Sequence, residues 1–252
     1  MDAKVIEKVL LTPVLTPNEH ILNEDNKIIR KTSSGEILST QLYSSSYFDA
    51  DVSDFVIDFY EIIYKDILPS RMINEDGYFT NDNFAGDSMN SFNTTANKVP
   101  AAGKYKKIRT EINKWPVFLQ DYYNFCSCLA NFWLLPVDLG RRIQIGKPIN
   151  KATNAGDYMD KFLLKIISEN VFANPPKAYA QYFKCFSTFE DFCDKHFLYG
   201  YLDNNEIVLY SSNNPESIVE NMTNMIKKRA RYISKSKYAN DLHKLFSMYN
   251  LL

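Results

Sequence analysis

Between Pro116 and Pro136 the chain reads VFLQDYYNFCSCLANFWLL, apolar nearly all the way round a helical wheel. A helix of that kind has no face to give to water and must be enclosed by the rest of the chain. Proline suits a first helical position and stops a helix that precedes it, so the pattern predicts a central helix over 116–135. Other segments would supply its cover. Val52, Phe55, Val56, Phe59, Ile62, Ile63 and Ile67 recur at helical spacing until Pro69. Met159, Phe162, Leu163, Ile166 and Ile167 form a second stripe. KAYAQYFKCFSTFEDFCDKHF breaks at Ser187, where Ser187-x-x-Glu190 has the capping-box form. Asn214 and Pro215 read as cap and first residue of a last long helix, with Ile218, Val219, Met222, Met225, Ile226 and Ile233 on its core side. EIVLY, before it, reads as a short strand. The expected fold is mainly α: an irregular helical single domain over 51–252 built around the 116–135 helix. Residues 1–50 precede it as an irregular, loop-rich region with a minor β-hairpin near KIIRK.

Composition narrows the chemistry. Only 8 of the 252 residues are glycine, below the usual ~7%, and neither G-x-G-x-x-G nor G-x-x-x-x-G-K-(S/T) occurs. Phosphate loops of those kinds are thereby excluded. Lys and Arg number 29 against 30 Asp and Glu, a net charge of -1, so any attraction for a polyanion must come from a local patch. Cys126, Cys128, Cys185 and Cys193 lack the paired C-x-x-C spacing of a structural zinc site and read as buried thiols. No metal and no cofactor is expected. MDAKVIEKVLL lacks the basic leader and apolar run of a secretory signal, and no stretch approaches the ~18 apolar residues of a membrane span. The expectation is a cytoplasmic chain with no membrane partner.

Three polar features interrupt the apolar pattern. Asn131 sits inside the greasy run, where its amide must find partners, either on nearby backbone or in a site. Just past Pro136, Arg141 and Arg142 offer planar donor arrays suited to carboxylate or phosphate, or salt bridges to Asp157 or Asp160. Upstream, FAGDSMNSF places Asp87 and Asn90 in a run that can cap and turn or supply acceptors and donors. Asn131, Arg141, Arg142, Asp87, Asn90 and Asp157 are the candidate ligand-binding residues.

CLANFWLLPVDLGR, GDYMDKFLLKI and FAGDSMNSF together resemble a family of uncharacterised bacterial proteins, a domain of unknown function. That family carries a Y-H-(S/T)-(L/I)-(G/A)-N-F-x-x-(L/M)-P core, an S-D-S or G-D-T-x-N-S element upstream and a D-(Y/F)-x-D element downstream. The likeness covers roughly residues 50–200, with its three elements at 86–92, 126–136 and 156–160. Ser127 stands where the family has histidine; if that histidine is a base or ligand, the resemblance implies a chain without the activity and favours binding.

The last long helix ends in a basic run, with Lys227, Lys228, Arg229, Arg231 and Lys235 as candidate nucleic-acid contacts and Tyr232 and Tyr238 interleaved. The same charges also suit a solvated helix C-terminus. Cys193 and His196, three apart on a helix, could share a metal or simply pack. The leading expectation is a binding or interaction module with a polar pocket near Asn131 and a protein partner, in bacterial or phage–host conflict. The alternatives are an enzyme acting on a phosphate-containing substrate or nucleic acid, with Arg141 and Arg142 as anion clamp, and a nucleic-acid binder using the basic helix.

Overall fold

Along the chain the elements run α1 (Ala3–Leu10), a hairpin of β1 (Ile28–Lys31) and β2 (Ile37–Thr40), α2 (Asp54–Ile63), β3 (Phe84–Ser88), α3 (Val117–Phe125) and a 3₁₀ turn at Leu129–Asn131. β4 (Phe132–Pro136), α4 (Met159–Ser168), α5 (Ala180–Phe183), α6 (Phe189–Lys195) and a second 3₁₀ turn at Leu198–Tyr201 follow. A two-residue pair, β5 (Leu202–Asp203) and β6 (Glu206–Ile207), then leads to α7 (Pro215–Ser234) and α8 (Ala239–Met248). This computed structural model describes residues 2–14, 28–31, 37–40, 54–67, 84–89, 116–136, 158–177, 180–211 and 214–252. The fold is mainly α, and the described strands pair only as three antiparallel two-stranded ladders.

The spine is α7. Asn214 caps it, its side-chain oxygen accepting from the Ser217 amide at 3.0 Å, and Pro215 takes the first position, as the sequence predicts. One face buries Ile218, Val219, Met222, Met225, Ile226, Ala230 and Ile233, against α1, α3 and both 3₁₀ turns. α8 adds Leu242, Leu245 and Phe246 to the same core and meets α1 and α2. Among the described residues of 1–50 is a helix that the sequence pattern does not predict: Asp2 caps α1 by accepting from the Lys4 amide, and Ile6, Val9 and Leu10 are buried. The short hairpin near KIIRK is present as β1 and β2.

The run 116–135 is not one helix. α3 ends at Phe125, the chain turns through Cys126–Cys128, and the second half is β4. A short apolar run fits a buried strand as well as a buried helix, so periodicity alone does not separate them. Two physical facts decide it here. Ser127, Cys128 and Asn131 are weak helix formers, and β3 supplies the ladder partner, Asp87 opposite Trp133 and Ser88 opposite Phe132. The turn is also held from outside, since the Val14 amide donates to the Ser127 carbonyl at 2.6 Å.

Farther on, α4 buries Met159, Phe162, Leu163 and Ile166, but Ile167, expected on that stripe, is 46% exposed. Asp160 is buried, and one of its oxygens accepts from the Tyr210 and Ser211 amides at 3.0 and 2.9 Å, fastening the approach to α7 onto α4. The cap of α6 lies one residue later than predicted. Thr188 accepts from the Asp191 amide, and the Asp191 carboxylate accepts from the Ser187 amide and hydroxyl.

Candidate functional site

Two polar constellations lie on opposite sides of α7, one buried and one exposed. The buried one centres on Arg229, which is wholly enclosed. Its Nε donates to the His196 carbonyl (3.0 Å), Nη1 to the Ala130 and Phe132 carbonyls (2.8 and 2.9 Å) and Nη2 to the Tyr64 hydroxyl (3.1 Å). The guanidinium lies 3.6 Å from the centre of the Trp133 ring. Four of the five N–H bonds of an arginine thus reach neutral acceptors, and among the described residues no carboxylate pairs with it. Arg229 is therefore a tie between α7, β4, α2 and the end of α6, which corrects its place among the nucleic-acid contacts. The sequence carries a signal for this: Arg229 falls four residues after Met225, three after Ile226 and four before Ile233, on the apolar stripe.

His196 extends the tie. The Tyr64 hydroxyl accepts from Arg229 and lies 3.1 Å from Nδ1 of His196. The Tyr182 hydroxyl donates its one proton to the Leu134 carbonyl (3.0 Å) and therefore accepts from Nε2 of His196 (2.9 Å), so the neutral ring carries its hydrogen on Nε2 and Nδ1 accepts from Tyr64. Burial, and then the positive charges of Arg229 and Lys195, hold His196 well below the usual imidazole range. Both ring nitrogens are spent on tyrosines, so the lone pair a metal would need is engaged. Cys193, its partner by sequence spacing, is a thiol pushed up to about 12 by burial.

Asn131 sits at this junction and is also fully buried. Its amide nitrogen donates to the Cys126 carbonyl at 2.7 Å, closing the turn between α3 and β4; its carbonyl oxygen finds no partner among the described residues. The backbone of Asp87 lies across from Trp133. Asn90, Arg141, Arg142 and Asp157, expected around Asn131, lie outside the described residues.

The exposed constellation is a cleft of about 320 Å³ between α7 and the second 3₁₀ turn. Its lining joins the buried Gly200 and Met225 and the half-buried Val208 to the Asn221 and Asn224 amides and the exposed Lys227, Lys228 and Arg231. Gly200 is required there by close approach, because an added Cβ would come within 2.7 Å of the Lys228 Cβ. Arg231 also approaches Glu7 of α1 at 3.6 Å, and Lys235 continues the exposed cationic row at the C-cap. Beside the cleft, Tyr199 and Tyr232 are each 43% exposed, with ring centres 5.2 Å apart. The Tyr199 hydroxyl donates to Asp194, which fixes that ring. Of the predicted nucleic-acid contacts, Lys227, Lys228, Arg231 and Lys235 are on the surface and Arg229 is not. The sequence reading missed Asn221 and Asn224, although Asn221, Asn224, Lys228, Arg231 and Lys235 recur at helical spacing on a single stripe. A second cleft, of about 340 Å³, is mostly apolar, with Ile166, Ile167, Phe172 and Phe189 among its lining.

Compared with protein-family models, curated proteins and solved structures, the chain matches none. No helix among the described residues is long and apolar enough to cross a membrane.

Proposed function

We propose that the protein is a binding module whose ligand is a nucleic acid, seated on the cationic face of α7. The observation that carries this reading is the division of one basic run between two jobs. Arg229 turns inward and anchors the helix, while Lys227, Lys228 and Arg231 line a cleft with two asparagine amides and Lys235 extends the row. A charged row on an anchored helix meets phosphates without first losing much freedom. Because the whole chain carries a charge of only -1, the attraction is local and acts within a Debye length of ~8 Å at physiological salt. The resemblance to the uncharacterised bacterial family, with serine at 127 in place of its histidine, fits binding better than that family's chemistry, and it alone carries the bacterial or phage–host setting.

Affinity for a labelled oligonucleotide, followed by fluorescence anisotropy between about 50 and 200 mM salt, tests the reading. With three or four phosphate contacts, log K should fall against log salt with a slope of about -2 to -3. Lys228→Ala with Arg231→Ala should weaken binding and remove about 1.4 from that slope. Absent or salt-insensitive binding would overturn the proposal.

A further inference from the structure

Resting on that reading, we infer that the cleft selects single-stranded over duplex nucleic acid, with Tyr232 and Tyr199 as its base-stacking platform. Tyr232 follows Arg231 and stands one turn after Lys228, while Tyr199 precedes Gly200 in the cleft lining. Both rings are 43% exposed at 5.2 Å separation, tilted by 55°, and the helical spacing puts Tyr232 on the same side of α7 as Lys228. A surface evolved only to solvate a helix end needs no such pair.

The two nucleic-acid forms differ in what they can offer this arrangement. A duplex shows phosphates outside and keeps its base faces stacked against each other, so it can meet the lysines and gain nothing from the tyrosines. An unpaired strand exposes both, and stacking of a base on an aromatic ring is tolerant of sequence. Its free base edges can also use the cleft amides: Asn224 is exposed in the cleft, and Asn221, though its nitrogen donates to the Ser217 carbonyl at 2.8 Å, keeps an amide oxygen. The bond from Tyr199 to Asp194 holds one ring in place before any ligand arrives, which lowers the ordering cost of stacking. Two other anionic partners fit less well. A flat lipid surface does not enter a concave cleft whose lining is charged, and an acidic protein chain brings carboxylates but no π faces.

The test uses the full chain and four probes: a labelled oligothymidylate of about 20 nucleotides, a duplex of the same length, polyglutamate as competitor, and vesicles containing phosphatidylserine. The single strand should bind at least about ten-fold more tightly than the duplex. Tyr232→Ala should weaken strand binding by about ten-fold while leaving duplex affinity and the salt slope unchanged, and Tyr232→Phe should retain wild-type affinity. Equal affinity for strand and duplex, or an inert Tyr232→Ala, overturns the single-strand inference and leaves nucleic-acid binding standing. Failure of both nucleic acids to bind, including the case in which only polyglutamate or vesicles bind, overturns both.

Discussion

Arg229 concentrates more of the structure on one side chain than any other residue described. Replacing it with methionine keeps much of the volume but leaves the His196, Ala130 and Phe132 carbonyls without this buried donor. At about 1–3 kcal/mol for each buried acceptor left unsatisfied, Arg229→Met should cost at least about 3 kcal/mol, read as a lower urea midpoint at unchanged m value. Lysine should not rescue it, because a point ammonium cannot reproduce the guanidinium fork. His196 gives the same network a pH dependence. Its folded pKa lies below the ordinary unfolded value of about 6.5. As acid is added the unfolded chain therefore takes up the proton first. The stability contributed by the neutral imidazole is complete above pH ~6.5 and is lost as pH falls below it, at up to ~1.4 kcal/mol per pH unit. Urea unfolding between about pH 7.5 and 5 should show that slope in the wild type and its loss in His196→Gln. The lowered carboxylates Asp66, Asp191 and Asp241 titrate below this window. The sequence shows His196 and a basic run; that the two meet depends on Tyr64 and Tyr182 arriving from the end of α2 and from α5, which no local pattern encodes.

At the scale of elements, the ends of α7 and its closest neighbour are the points to perturb. Asn214→Ala removes the cap bond to Ser217 and should lower stability by about 1 kcal/mol. Gly200→Ala forces a methyl into the Lys228 Cβ. The 3₁₀ turn must move away from α7, at a cost of about 1–3 kcal/mol, and oligonucleotide affinity should fall with it. Melting curves and anisotropy on the same preparations check both effects. The elements legible in the sequence were α2 and α4, through uninterrupted periodicity, and α7, through periodicity with an explicit cap. α1 was lost despite Ile6, Val9 and Leu10 at helical spacing behind the Asp2 cap, because eight residues are too few for that pattern to stand out from an irregular segment. β4 was lost because an enclosed strand and an enclosed helix present the same apolar run, and the partner that decides between them, β3, lies more than forty residues upstream. The exposed cleft was half legible: its cations stand out by charge, whereas Gly200 and Val208 enter only through tertiary packing.

For the whole molecule, the enclosure of α7 by α1, α3 and both 3₁₀ turns makes it the last helix to open. In native-state hydrogen exchange the amides of Met222–Ala230 should exchange only through global unfolding, and those near the end of α8, where Met248 is 76% exposed, through local fraying. Protection that is lower in α7 than in α8 would show that the spine lies elsewhere. The Arg229 tie also has a consequence for synthesis. It joins Tyr64, Ala130, Phe132 and His196 to a residue made up to 165 positions later. At ribosomal rates of about 5–20 residues per second, Tyr64 waits on the order of ten to thirty seconds for its partner. Trp133 and the β4 segment, made later, stand without the cation that covers them for roughly the last five to twenty seconds of that wait, which is the time a chaperone has to hold them.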